Sequence, residues 1–184
     1  EINDVEDLTI DNDLFAFKIN YNNGTTPLYN GNISETYWRS NSDNFLRKYE
    51  YNYDDLNRLL EANYSKPIST SIPSSFSTNS YYEKLGYDKN GNIYKLIRNG
   101  DLDADNFEIE IDNLVYTYDD DDKNQLKKVL DQSNHPQGFK DDSNGIEDQD
   151  KDYTYDDFGN LLTDTNKEIS SIIYNHLNLP VQIT

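Results

Sequence analysis

Apolar and polar positions alternate along much of this chain with the period of a β-strand. The clearest run is Leu14-Phe15-Ala16-Phe17-Lys18-Ile19-Asn20-Tyr21. Side chains of a strand point alternately to its two sides, which puts Phe15, Phe17, Ile19 and Tyr21 on one face. The run predicts an entering strand.

Farther along, the alternation becomes aromatic and recurs. Tyr51-Asn52-Tyr53-Asp54 leads to Asn57-Arg58-Leu59, and Gly86-Tyr87-Asp88 leads to Gly91-Asn92-Ile93. Tyr116-Thr117-Tyr118-Asp119 leads to Asn124-Gln125-Leu126, and Tyr153-Thr154-Tyr155-Asp156 leads to Gly159-Asn160-Leu161. Partial copies stand at Tyr29-Asn30-Gly31-Asn32-Ile33 and at Tyr174-Asn175-His176-Leu177-Asn178-Leu179. The tyrosines before the turns are 24, 34, 31, 37 and 19 residues apart. A unit of about twenty residues with variable inserts accounts for those steps.

The physics of one unit is that of a hairpin. Tyr-x-Tyr sets two rings on one face of a strand. The aspartate opens a β-turn and can accept from the backbone two residues on. Gly91 and Gly159 then stand where the chain needs positive φ to return, and the aliphatic residue begins the return strand. Hairpin turns are therefore expected near 54–57, 88–91, 119–124 and 156–159, the third lengthened by extra acidic residues. Residues 54–63, through Leu56, Leu59 and Leu60, also fit a short helix, but the repeat makes them turn and strand. Loop inserts are expected near 65–80, which is Ser/Thr/Pro-rich, and near 134–152, which is polar and acidic.

Composition changes the picture in three ways. The chain has 184 residues, 34% of them hydrophobic, and a net charge of −19, values that suit disorder. Yet 16 Tyr and 7 Phe are present. Buried aromatics stabilise a fold through their large apolar area, so a folded segment over 1–184 is expected, with tyrosine as its main core residue. The 16 basic residues against 35 acidic ones argue against nucleic acid as a partner. No apolar run is long enough to span a membrane, and no membrane insertion is expected. With no Cys, disulfides and thiolate metal sites are excluded. With no Met, even at position 1, the chain reads as a piece of a much larger one.

The Tyr-Asp-x-x-Gly-Asn-Leu turns, recurring in order with their flanks, resemble the YD repeats of the Rhs family. That family includes surface and secreted Rhs proteins and polymorphic toxins of Gram-negative bacteria, the cocoon component of ABC toxins, and teneurins. The resemblance covers residues 14–184. It implies an all-β fold in which successive hairpins form a continuous twisted antiparallel sheet, part of an Rhs-type β-shell or cocoon. It further implies a non-catalytic scaffold segment of a secreted or cell-surface protein, enclosing or presenting another domain. The sheet edges would be covered by the rest of the parent chain or by a protein partner, secretion or surface machinery included. The alternative is a module that binds glycans, or an adhesion or secretion partner, through exposed aromatics and open edges.

Candidate chemistry is sparse. Tyr53, Asp54, Tyr87, Asp88, Gly91, Tyr118, Asp119, Tyr155, Asp156 and Gly159 are read as turn and repeat residues. Trp38, with Tyr37, is the candidate glycan platform, because a sugar ring stacks on an aromatic face; strand packing is the competing reading for both rings. Asp101, Asp103, Asp105 and Asp112 approach a calcium-loop pattern but lack its turn glycine and its final glutamate. Calcium is the one cofactor considered, and none is expected otherwise. Asp148, Asp150 and Asp152 form a second alternating trio. His135 and His176 stand in polar or degenerate loops, so no catalytic site and no enzyme is expected.

Overall fold

The computed structural model describes residues 1–9, 12–67, 76–77, 79–102, 107–122, 124–141 and 151–184. Its strands are β1 (Phe15–Asn20), β2 (Glu35–Ser40), β3 (Arg47–Tyr53), β4 (Leu59–Pro67), β5 (Phe76–Ser77), β6 (Glu83–Tyr87) and β7 (Ile93–Leu102). There follow β8 (Glu108–Tyr118), β9 (Leu126–Asp131), β10 (Tyr153–Tyr155), β11 (Leu161–Asp164), β12 (Ile172–Tyr174) and β13 (Pro180–Ile183). Among the described residues the only helical piece is the 3-10 turn Thr165–Lys167. No described helix is long and apolar enough to cross a membrane. The chain divides into two compact units, Glu1–Leu85 with Arg98–Ile109 and Gly86–Ile97 with Glu110–Thr184.

In the first unit β1, β2, β3 and β4 pair in order, each antiparallel to the next. The β3–β4 hairpin shows how the repeat works. The Asp54 N–H donates to the Arg58 carbonyl and the Asn57 N–H to the Asp54 carbonyl, both at 2.9 Å. Asp54 Oδ1 accepts the N–H groups of Leu56 and Arg58, each at 2.9 Å. Asn57 takes φ +63°, a left-handed conformation that asparagine tolerates. Each bond satisfies a backbone donor that the reversal would otherwise leave to water.

The second unit repeats this geometry. Asp88 Oδ1 accepts from the N–H groups of Asn90 and Asn92, and Asp156 Oδ1 from those of Phe158 and Asn160. Gly91 and Gly159 hold φ +95° and +83°. In the degenerate last copy Asn175 does the work of the aspartate, accepting from Leu177 and Leu179. Asp119 opens the wider third loop, its N–H donating to the Gln125 carbonyl at 2.9 Å.

A further regularity links successive repeats. The register shifts at Tyr53, Tyr118, Tyr155 and Tyr174, just before each turn. The hydroxyl of each of these tyrosines donates to the main-chain carbonyl of the residue that opens the previous return segment. The bonds run from Tyr53 to Ile33 (3.0 Å), Tyr118 to Ile93 (2.9 Å), Tyr155 to Leu126 (2.9 Å) and Tyr174 to Leu161 (2.8 Å). A half-buried phenol must find such a partner.

The fold is all-β, but the expected shell is corrected. Among the described residues the large sheet is an open path, β1-β2-β3-β4-β6-β7-β8-β9 with β5 beside β4, and its end strands do not pair to close it. Nor is the sheet continuous, since β10–β11 and β12–β13 are separate two-stranded sheets. The edge strands show why. The outer side of β1 is taken by Ile2, which exchanges both backbone bonds with Phe17. On β9 the Val129 N–H donates to Asp152 Oδ2 and the Asp131 N–H to Asp141 Oδ2. Side-chain carboxylates thus occupy donors that a further strand would need.

The packing of β1 is selective, and the expected tyrosine core is reduced. On β1 the buried positions are Ala16 and Asn20, whereas Phe15 and Ile19 are exposed. Residues of the N-terminal segment, Val5 and Leu8, form the core cluster with Ala16 and select that face. Among the described residues Tyr64 is the only fully buried tyrosine. The other described tyrosines are half-buried or exposed, and buried polar groups such as Glu35, Asp112 and Asp131 fill much of the interior.

Candidate aromatic groove

Trp38 lies on β2, whose register pairs it with Arg47 on β3. Two residues along β3, Tyr49 pairs with Tyr64 on β4. Period-two alternation sets these four side chains, and Lys66 beyond Tyr64, on one face of the first unit. Trp38 stacks on Tyr49 with ring centroids 5.7 Å apart and planes 21° apart, and lies 5.8 Å from Tyr64. Tyr64 meets Tyr81 edge to face at 5.2 Å. These are the offset and T-shaped arrangements that ring quadrupoles favour.

Together with Arg47, Lys66 and Asp101, the rings line a cavity of about 390 Å³. Its polar groups are of both kinds. Arg47 is held by Asp43 and by the Phe45 carbonyl. The Tyr49 hydroxyl donates to the Tyr81 carbonyl at 2.9 Å. Burial pushes the Tyr49 phenol well above its ordinary range, with the Glu83 charge acting in the same direction. The Tyr81 phenol is raised by burial and by the neighbouring Asp101 carboxylate. Both phenols therefore stay protonated at neutral pH. The groove offers an aromatic floor, cationic donors and one carboxylate acceptor.

Tyr37 is not part of this floor. It turns to the opposite face, where it packs against the Val5, Leu8 and Ala16 cluster. Its hydroxyl donates to Glu35 Oε2 at 3.1 Å. Glu35, 1% exposed, also accepts from Asn20 Nδ2 and the Thr25 N–H at 2.9 Å and from Lys48 Nζ at 3.0 Å. Burial would raise its pKa, but the Asn20, Thr25 and Lys48 donors hold it down at about 2. Every oxygen of this carboxylate is spoken for within the fold.

The other sequence candidates occupy structural positions. Tyr53, Asp54, Asp88, Gly91, Tyr118, Asp119, Tyr155, Asp156 and Gly159 sit at the turns and locks described above, and Tyr87 ends β6. Of the calcium candidates, Asp101 lines the groove. Asp112 is fully buried on β8 and accepts the Phe139 N–H at 2.5 Å. Asp103 and Asp105 lie outside the described residues, as do Asp148 and Asp150. Asp152 is buried and accepts from the Val129 N–H and Asn166 Nδ2. Among the described residues no cluster of three His, Cys, Asp or Glu side chains is arranged to hold a metal ion. His135 Nδ1 accepts the Gln137 N–H within its own loop, and His176 is exposed in the last turn.

Sequence reasoning singled out Trp38 but missed Arg47, Tyr49, Tyr64, Lys66 and Tyr81. Alternation alone places Tyr49 and Tyr64 on strand faces. Only the β2–β3 and β3–β4 registers bring those faces together. No family model matches this chain, and no curated protein does.

Proposed function

We propose that the chain is a carbohydrate-binding module and that the Trp38 groove is its sugar site. The observation that carries this reading is the cluster of Trp38, Tyr49, Tyr64 and Tyr81 facing one open cavity beside Arg47, Lys66 and Asp101. A sugar ring has apolar C–H faces and a rim of hydroxyls. The first stack on an aromatic ring, and the second need donors and acceptors around its edge. The volume falls at the small end of the ~300–1,000 Å³ typical of ligand pockets, enough for a short saccharide. Resemblance to YD repeats supports placing such a module on a secreted or surface protein.

A glycan array tests the proposal, with Trp38→Ala and Tyr81→Ala as controls. Tyr81 is 40% exposed, so its removal leaves the fold intact. Binding to at least one saccharide class is expected, weakened about tenfold or more by either substitution, as for loss of a central aromatic anchor. A folded protein that binds no saccharide class is left with the scaffold role. Glycan binding that both variants keep would place the site elsewhere.

A further inference from the structure

The aromatic groove carries charge of both signs, on different elements. Arg47 on β3 and Lys66 on β4 bring positive charge to its lining. Arg47 stands opposite Trp38, and Lys66 lies two residues beyond Tyr64, about 7 Å along the strand. Asp43 offsets the Arg47 guanidinium through an ion pair. Among the described residues no carboxylate forms an ion pair with Lys66. Lys66 is therefore the cation that a ligand in the groove meets.

The Tyr81 side of the groove is acidic. The Tyr81 N–H donates to the Gly100 carbonyl at 2.8 Å, which sets Asp101 of β7 beside Tyr81. Burial raises the Tyr81 phenol, and the exposed Asp101 carboxylate raises it further. The planes of Tyr64 and Tyr81 stand 86° apart, so the two rings make an aromatic corner next to this carboxylate. An ammonium placed there meets ring faces that attract a cation and oxygens that accept its hydrogen bonds.

The charge of the whole chain sharpens the choice. At −19 it repels a purely acidic saccharide that Lys66 would attract. A purely basic saccharide is drawn to acidic surface everywhere, with no preference for the groove. A saccharide with one charge of each sign has no net charge and escapes both effects. We infer that the groove selects zwitterionic saccharides, in which an amino sugar adjoins an acidic one. The ammonium sits at Asp101 and Tyr81, the acidic group sits at Lys66, and the sugar rings stack on Trp38 and Tyr49. This inference rests on the saccharide reading and narrows its ligand class.

The test follows Trp38 emission while the full chain is titrated with a disaccharide of glucosamine and glucuronic acid. Three derivatives are compared with it: one with the amine acetylated, one with the carboxyl reduced to an alcohol, and one with both changes. The zwitterion should bind about tenfold or more tighter than the doubly changed form, with the singly changed forms between them. In Asp101→Asn the free amine should no longer add affinity, while the carboxyl still does. Lys66→Gln should show the reverse. The advantage of the zwitterion should shrink as salt rises, because both contacts are ionic. A zwitterion that binds no better than the doubly changed form would overturn the inference and leave saccharide binding standing. So would an advantage that neither substitution alters. A folded chain that binds none of the four overturns it too, and the glycan array then decides whether any saccharide class binds.

Discussion

Glu35 shows how much one polar residue decides here. Its carboxylate lies in the interior of the first unit and gathers Asn20, Thr25, Tyr37 and Lys48 around it. Those donors belong to β1, the following loop, β2 and β3, so a single side chain fixes the mutual position of several segments. Its pKa of about 2 lies below the ordinary 4.5. A carboxylate depressed on folding contributes stability above its unfolded pKa and loses it as the pH falls toward the folded one. Acid titration should therefore destabilise the chain between about pH 4.5 and 2, part of that slope coming from Glu35. Glu35→Gln should lower stability at pH 7 by about 2 kcal/mol and flatten the acid slope. Chemical denaturation of both proteins at a series of pH values measures it, and parallel acid slopes would exclude the assignment. Asp119, held down at about 2 by the Lys151 ammonium and its own turn amides, adds to the slope in both proteins.

The hairpin is the element of this molecule, and its stability resides in recurring polar contacts. The aspartate satisfies the turn, and the tyrosine hydroxyl ties one hairpin to the one before. Tyr174→Phe keeps the ring and removes the 2.8 Å bond to the Leu161 carbonyl. A loss of about 1 kcal/mol is expected. Amide exchange should quicken in β11, β12 and β13 but not in β1 to β4. Exchange that quickens evenly, or not at all, would show that the hydroxyl does not join these hairpins.

Much of the hairpin was legible in the sequence. Tyr-x-Tyr-Asp with Gly or Asn three residues on specifies ring face, turn acceptor and left-handed residue within one short stretch. What depended on distant residues was not legible. The buried face of β1 is not the one that carries its more apolar side chains, Phe15 and Ile19. It is set by Val5 and Leu8, which cover Ala16 instead. The tyrosine lock was unreadable because its acceptor is a main-chain carbonyl, which carries no sequence signal. The groove shared this difficulty: Trp38 stood out as a rare residue, but its companions are defined by strand register. The expected shell failed at the edges, where Ile2, Asp141 and Asp152 occupy the outer bonds of β1 and β9.

On the scale of the whole molecule the dominant property is charge. With a net charge of −19, the chain repels polyanions over a Debye length of about 8 Å at physiological salt. Against that background Arg47 and Lys66 stand beside the aromatic rings of one groove. Uncharged saccharides meet no such repulsion, and stacking on Trp38 does not depend on ionic strength. The sequence holds a single tryptophan, and it lies in this groove. Its fluorescence therefore reports on the proposed site without a label. Titrating the full chain with a panel of neutral oligosaccharides should give a saturable change in Trp38 emission for at least one class. That change should persist at high salt and need at least about tenfold more saccharide in Tyr81→Ala. Emission that no saccharide alters, in a protein whose β-sheet circular dichroism is intact, would contradict the account.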